Sequence, residues 1–435
     1  MDRSIVSGSV VRPDWRRGAV DAQGPDEDAF TLAVDALDRE PNAPSVPGTL
    51  DALHLVGPTD PAQDWAFREA LGRPQLEVHH HRSGASSFVA ALASAAHAGG
   101  SAERIAVVAI DLAAGAAGGG SRPTGAGAVA VRFGPRPGVR VEGYGQRAHP
   151  SERRPNASEW TAAAAQVAGG FPEAAQGELL LLSEAAPPVL AAAWTKRHPE
   201  APCRTEPLPT HVGGSDGIGM ATRLLELIGR ITPGKRAIIA RVEPDWTDYL
   251  AVACDASVPL PEAAAAPTRE LPSTSFDHPI EGLRLDRVSE GAYVPYATYR
   301  ENLPSRWRFA ALHCGACQKI TFPVRPNCRY CGASEGRTIE ELPRDGALVE
   351  AVTTVRPGAQ PTEFDDQVAA VGAYDVVLAR VAPGVRVTLQ VAGMPPGSVR
   401  VGDLVDTRLR RLYPMEGEWR YGRKAKIRPR APPST

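Results

Sequence analysis

The sequence predicts a layered α/β domain followed by a cysteine-knuckle ribbon and a small all-β barrel, and three observations point there. From the N-terminus to about residue 257, short apolar runs alternate with Ala-rich helical stretches, the pattern of helices packed on a sheet. Residues 258–279 (VPLPEAAAAPTRELPSTSFDHP) are rich in Pro, Ala and Ser and lack apolar periodicity, as an interdomain linker does. Beyond two tight cysteine pairs, β-branched segments separated by Gly/Pro turns predict a small antiparallel barrel.

Taken in order, residues 26–39 form the first clear helix. Asp26, Glu27 and Asp28 place acids in its first turn, where they suit the helix dipole, and Phe30, Ala33, Val34 and Leu37 repeat at helical spacing. Segments 53–56, 105–110, 126–133, 178–182 and 237–242 read as buried strands, with helices at 86–98 and 219–231. After the linker, 280–310 is a helical lead-in, 311–335 the ribbon and 342–413 the barrel, with strands at 348–355, 374–381, 385–391 and 404–409. Residues 414–435 are expected as a basic tail. Between 408 and 430, nine Lys or Arg stand against two acids, interleaved with Tyr413, Trp419 and Tyr421. This bias either cradles phosphates or forms a solvated surface. No repeat at solenoid spacing is visible.

The 435 residues exceed what one core usually serves, so two or three domains are expected. Lys plus Arg (48) nearly balances Asp plus Glu (50), for a net charge of -2. No global field draws the molecule to nucleic acid or an anionic membrane, and any polyanion site must be local. Six cysteines are too few for a disulfide-stapled secreted chain, which predicts the reducing cytoplasm. The N-terminus lacks an apolar h-region, and no stretch reaches the roughly 18 apolar residues of a membrane span. A soluble protein is expected.

CGAC at 314–317 and CRYC at 328–331 are two knuckles ten residues apart. Each turn aims two thiolates at one ion, so Cys314, Cys317, Cys328 and Cys331 are predicted to hold one structural zinc in a tetrahedral S4 site. Gly315 and Gly332 supply backbone freedom in the turns. A closed site leaves no open coordination position, which assigns the zinc to the fold rather than to chemistry.

LHCGACQKITFPVRPNCRYCG, DGALVEAVTTV and VRVGDLV resemble the acyl-CoA-associated family built from a rubredoxin-like zinc ribbon and an OB fold, over about residues 295–413. That resemblance implies an OB-fold barrel, pairing with thiolase-type enzymes, and a CoA or phosphopantetheine thioester as ligand. The first 257 residues resemble thiolase-fold hydroxymethylglutaryl-CoA synthases and ketoacyl-synthase-III-like proteins. PDEDAFTLAVDAL matches the early helix, LDALHLVGPTDPAQDWAFREALG the next strand and loop, GAGAVAV the glycine-rich strand, and PGKRAIIARVEPDWTDYLAV the final strand pair. The implied fold is thiolase-like, followed by the zinc ribbon and the OB barrel.

Claisen or acyl-transfer chemistry on that fold needs a thiolate at a helix N-terminus, plus His and Asn to polarise the thioester. By the resemblance, RSGASSFVAAL places Ala85 or Ser86 at the nucleophile turn, Ser183 and Glu184 fall in the His region, Gly214 and Ser215 at the Gly-Asn turn, and Thr59 or Asp60 near the synthase's acidic residue. The expectation is therefore a thioester-handling fusion without the Cys–His–Asn triad. It would act as a non-catalytic partner or scaffold of an active condensing enzyme in polyketide-like or acyl-CoA metabolism, forming a homo- or hetero-oligomer with a thiolase-fold protein. One alternative is an acyltransferase rebuilt around His81 and Ser86, since His79, His80 and His81 directly precede the turn. The other is a nucleic-acid-binding zinc-ribbon/OB protein, favoured only by the basic tail. Cys203 and Cys254 read as a loop thiol and a core filler.

Overall fold

The computed structural model describes, apart from short internal gaps, residues 3–38, 50–112, 126–148, 178–182, 203–206, 217–258, 269–270 and 294–428. In chain order the first strands are β1 (Ser4–Val11), β2 (Trp15–Arg17), β3 (Val20–Ala22), β4 (Ala52–Val56), β5 (Glu77–His81), β6 (Ile105–Asp111) and β7 (Gly127–Gly134). They are followed by β8 (Val139–Ala148), β9 (Glu178–Leu182), β10 (Cys203–Glu206), β11 (Arg236–Val242), β12 (Trp246–Cys254) and β13 (Arg269–Glu270). Ten of these build one mixed sheet in the order β10-β9-β11-β12-β8-β1-β7-β6-β4-β5. Cys203, expected in a loop, lies in β10 and pairs in parallel with Leu179. The expected linker is described only at Val258, which is buried in the core, and at β13, which pairs with β2.

The sheet is an internal duplication. Numbering the five strands of each half in chain order, β1-β7-β6-β4-β5 and β8-β12-β11-β9-β10 both run 1-5-4-2-3. In both halves the first two pairings are antiparallel and the last two parallel. The halves join where β1 meets β8 antiparallel, through Ser4↔Arg140 and Ile5↔Val139. Helix α3 (Ala85–His97) links the third and fourth strands of the first half, and α4 (Gly217–Ile228) does the same in the second. The two helices pack together on one face, where Phe88, Leu92, Leu224 and Ile228 cover Val107, Val129, Val131 and Ile239. Strands buried on both faces read as continuous apolar runs, and β4, β6 and β7 are buried along almost all of their length, which is why they coincide with the segments expected from sequence; β9 and β11 coincide with theirs as well.

The opposite face carries α1 (Ala29–Asp38) and α2 (Asp64–Leu71). Helix α1 begins later than its acid cluster, so Asp28 caps it instead of lying in its first turn. The Thr31 amide donates to Asp28 Oδ1 and the Asp28 amide to Thr31 Oγ1, both at 2.8 Å, a reciprocal cap.

The C-terminal region opens with α5 (Tyr296–Glu301) and α6 (Leu303–Arg308). A three-stranded sheet follows in the order β15-β14-β16, from β14 (Ala310–Cys314), β15 (Ile320–Thr321) and β16 (Arg337–Glu341). Then come β17 (Ala347–Val355), α7 (Asp365–Val371), β18 (Tyr374–Ala382), β19 (Val385–Gln390), β20 (Leu404–Met415) and β21 (Glu418–Ile427). These five strands form an antiparallel sheet, β19-β18-β17-β20-β21. A bridge between Val391 and Ala425 brings its two ends together. The order of the first four is that of a Greek key.

In its described residues the expected basic tail is largely a paired, mostly buried strand, and residues 429–435 lie outside the described residues. Its first half is β21, paired along its length with β20, and the hairpin lies against α1. Phe30 of α1 packs on Phe67, Trp307 and Tyr421 at ring-centroid distances of 5.0, 5.7 and 5.1 Å. The two regions thus share an apolar core. Around it, Arg410 bonds Asp35 at 2.7 Å and Glu27 at 3.3 Å, Arg411 bonds Asp28 at 2.7 Å, and Lys424 bonds Asp26 at 2.9 Å. Asp38 is held by Arg344 at 2.7 Å and Arg423 at 3.1 Å. The Arg410, Arg423 and Lys424 side chains are at most 2% exposed. A buried charge is tolerated only when paired, so these cations are committed to α1 and unavailable to phosphates. Burial would raise the Asp38 carboxyl, but Arg344 and Arg423 outweigh it and hold the group below the usual carboxylate range.

Candidate functional site

The first site is the cysteine cluster. Cys314 ends β14, Cys317 lies in the following turn, and Cys328 and Cys331 form a second turn before β16. The Gln318 amide closes the first turn on Cys314 O at 2.8 Å, and the Gly332 amide closes the second on Cys328 O at 2.9 Å. The two glycines act differently. A Cβ on Gly315 would meet Gly336 O at 2.5 Å, so close approach demands glycine there, whereas Gly332 has φ +76°.

All four sulfurs lie within 4.8 Å of one another. Cys314 to Cys331 and Cys317 to Cys328 are each 3.6 Å apart, too far for a disulfide at about 2.05 Å. Bonds of about 2.3 Å to a central ion at tetrahedral angles would separate the sulfurs by about 3.8 Å, so the cluster can hold a metal ion. Amides of Cys331 and Tyr330 pull the Cys328 thiol down to about 6. Although the Lys319 amide lowers it, desolvation and the neighbouring sulfurs push Cys317 up to about 12. A divalent cation relieves that crowding, because it favours every thiolate.

The second site is at the C-terminal ends of the parallel strands β4 and β5. Register pairs His54 with His79 and Val56 with His81. Strand alternation separates the His79–His81 run: His79 and His81 share a face with His54, and His80 meets α2 on the other. His54, not singled out from sequence, is 4% exposed. Its Nδ1 is 3.0 Å from His81 Nε2, and its ring stacks on His79 and His81 at 4.6 and 5.2 Å. Desolvation, then His79 and His81, lowers His54 to about 4. Desolvation, then His79 and His80, also lowers His81. Both imidazoles are therefore neutral near pH 7, with one proton between their facing nitrogens.

On the other face, His80 Nε2 is 2.7 Å from Asp64 Oδ1 and His80 Nδ1 is 2.8 Å from Thr59 Oγ1. Asp64 opens α2, and Thr59 lies in the loop after β4. This geometry needed the β5 register and the start of α2, and nothing local in the sequence encodes either. Among the described residues, only the four cysteines gather three or more metal-ligating groups.

Ser86 occupies the second position of α3, but its side chain lies outside the described residues, as do Ser183, Glu184, Gly214 and Ser215. Cys254 ends β12 in the core, where its thiol donates to the carbonyls of Ile231 and Ala256, each at 3.3 Å. Burial, then Asp255, raises its thiol. No described helix is long and apolar enough to cross a membrane.

No protein-family model matches the sequence, and no curated protein does. Among solved structures the chain is similar to 3-oxoacyl-(acyl carrier protein) synthase III, FabH, of Pseudomonas aeruginosa PAO1, at 16% identity and TM-score 0.43, over 60% of this chain and 100% of that one. It is similar to a point variant of Xanthomonas campestris OleA with cerulenin at 12% identity and TM-score 0.45, over 58% and 97%. An HMG-CoA synthase complexed with CoA is similar at 13% identity and TM-score 0.42, over 59% and 83%.

Proposed function

We propose that this chain handles acyl-CoA or acyl-carrier-protein thioesters on a thiolase-type fold without Cys–His–Asn chemistry, as the non-catalytic partner of an active condensing enzyme in the cytoplasm. Helix α3 carries the reading. It begins directly after edge strand β5 and is buried against the duplicated sheet, at the position the sequence resemblance gives to the nucleophile, yet ASSFVAALASAAH contains no cysteine. A nucleophilic thiol needs a lowered pKa and access, and Cys254 has neither. The duplicated 1-5-4-2-3 topology supports the thiolase-type assignment.

In the same reading the cysteine cluster is a structural zinc ribbon, supported by two S–S separations of 3.6 Å, close to a tetrahedral edge, with all four sulfurs within 4.8 Å. The Greek-key order of β17–β20, closed by the Val391–Ala425 bridge, supports an OB-type barrel. Nucleic-acid binding loses its footing, because Arg410, Arg423 and Lys424 are committed to α1. A second reading, an acyltransferase with a rebuilt site, is favoured by the neutral His54–His81 pair facing the α3 side of the sheet.

Titration with acetonyl-CoA, which resembles an acyl-CoA but cannot transfer its acyl group, tests the first reading alongside acetyl-CoA intact-mass analysis. Reversible binding with no adduct in the α3 peptide is expected. An acyl group on Ser86 would favour the second reading, and failure to bind acetonyl-CoA or any thiolase-fold enzyme would end the first.

A further inference from the structure

Thr59, His80 and Asp64 form a hydroxyl–imidazole–carboxylate chain on the face of the sheet opposite α3, and no part of the cysteine-type chemistry uses it. The ionised Asp64 carboxylate can only accept, so the 2.7 Å contact fixes the proton on His80 Nε2. Nδ1 is left as an acceptor, and the Thr59 hydroxyl donates to it at 2.8 Å. The imidazole is held in the tautomer that a general base needs, with its third partner in place, as the logic of a nucleophile triad requires. Asp64 keeps a second partner, Arg68 at 3.8 Å.

The position suits a ligand. Open α/β sheets bind substrates beyond the carboxyl ends of parallel strands, and Thr59 and His80 stand at that end of β4 and β5. Because β5 is the sheet edge, no further strand covers it among the described residues. Thr59 is half-buried between exposed Pro58 and Asp60, and the His80 side chain is 18% exposed. Among the described residues the Asp60 amide, next after the hydroxyl, donates to no protein group, which leaves it for an oxygen of the ligand.

The geometry points to Thr59 as an acyl-accepting nucleophile, with His80 as its base and Asp64 positioning His80. That the acyl donor is a thioester rests on the reading above, in which the chain is non-catalytic for condensation; hydrolysis at Thr59 is a separate activity. Thr59 Oγ bonds to the thioester carbonyl carbon while His80 Nδ1 takes the hydroxyl proton. The C–S bond breaks, the proton passes to the departing sulfur, and a free thiol leaves Thr59 acylated. Water then attacks the ester, His80 takes its proton and returns it to Thr59 Oγ, and the carboxylic acid departs.

The full-length protein is incubated with acetyl-CoA and, separately, with p-nitrophenyl acetate, following thiol or nitrophenol release, intact mass and peptide mapping. An acetyl group on Thr59, or release without adduct, is expected in the wild type. Either signal must vanish in Thr59→Val and His80→Gln and return in Thr59→Ser, which also controls for folding. Asp64→Asn lets an amide donate to Nε2 and inverts the tautomer, so kcat should fall tenfold or more with KM little changed; a purely structural role would move KM as well. Nitrophenol release lost in Thr59→Val without any acetyl-CoA reaction sustains the Thr59 site and removes the thioester. Release or acylation that survives Thr59→Val, an adduct mapped elsewhere, or no reaction with either donor overturns the assignment.

Discussion

The contact of α1 with the β20–β21 hairpin makes a quantitative prediction, and Asp35 is the residue to perturb. Its side chain and that of Arg410 are 0% and 1% exposed and 2.7 Å apart. Removing the carboxylate in Asp35→Ala leaves Arg410 buried with Glu27 at 3.3 Å. Stranding one member of a buried pair costs roughly 3–5 kcal/mol, and the residual Glu27 contact places the expectation at the lower end, about 3 kcal/mol. The pair itself is imperfect, since Asp35 Oδ1 accepts no hydrogen bond among the described residues. The double variant Asp35→Leu/Arg410→Met should recover only part of the loss: apolar replacement of both partners is often neutral, but Glu27, buried 3.3 Å from Arg410, loses that cation. Glu350→Ala is the control: Glu350 bonds Arg380 at 2.9 Å and Arg386 at 2.5 Å, but those partners are 45% and 51% exposed, and such surface pairs contribute about 0–1 kcal/mol. Denaturant titration followed by tryptophan fluorescence reads all three, because Trp307 lies in the shared core. If Asp35→Ala costs no more than Glu350→Ala, the charges do not hold the two regions together.

Three further outcomes are expected. Elemental analysis should find one metal ion per chain in the wild type and none in Cys328→Ser, with chelator lowering the melting temperature only of the former; a variant that keeps its ion would remove Cys328 from the ligand set. Because His54 is lowered to about 4 when folded and is near 6.5 when unfolded, only the unfolded chain takes its proton between those values. Its contribution is then complete above about pH 6.5 and is lost by about 2 kcal/mol as pH falls toward 4, after allowing for solvent screening. His54→Gln should flatten that part of the stability–pH curve, and an unchanged curve would refute the assignment. Gly315→Ala should cost about 1–3 kcal/mol and weaken metal retention, since its Cβ meets Gly336 O at 2.5 Å; unaltered thermal melting and metal content would show that the turn yields.

What the sequence disclosed followed from how local the determining physics is. The cysteine knuckles need only two short turns, so their spacing announced them. Strand β9 was legible at Glu178–Leu182 because ELLLL is an almost continuous apolar run, as a strand flanked on both sides within a parallel part of a sheet presents. The edge strand β5, EVHHH, offered no such run, and its exposure is mixed along its length. The order of the sheet, and with it the duplication, is a matter of topology that no residue pattern encodes. The Thr59–His80–Asp64 chain was hidden for a related reason: it joins a loop, a helix start and a strand whose register is set by β4. Strand β21, EWRYGRKAKI, read as a phosphate cradle or a solvated surface because buried cations make sense only with their partners, and Lys424 finds Asp26 across 398 positions of chain.

That separation explains how a chain with nearly balanced charge uses it. A helix buried on every side, as α1 is through most of its length, would ordinarily be apolar all round. Here its acids face a hairpin rich in arginine, and the match discriminates between arrangements. A β20–β21 hairpin slipped by one residue would turn Arg410 to the other face and leave Asp35 buried without its partner, a loss of several kcal/mol. Hydrophobic contact around Phe30 and Trp307 draws the two regions together, but grease tolerates sliding, whereas a 2.7 Å ion pair does not. Charge complementarity therefore fixes the register. It also fixes the chain path to the cysteine cluster, since Arg344, two residues beyond the buried Leu342 at the exit of β16, is locked to the same helix through Asp38. The polar residues that looked like a surface for a partner are the element that aligns one half of the molecule on the other.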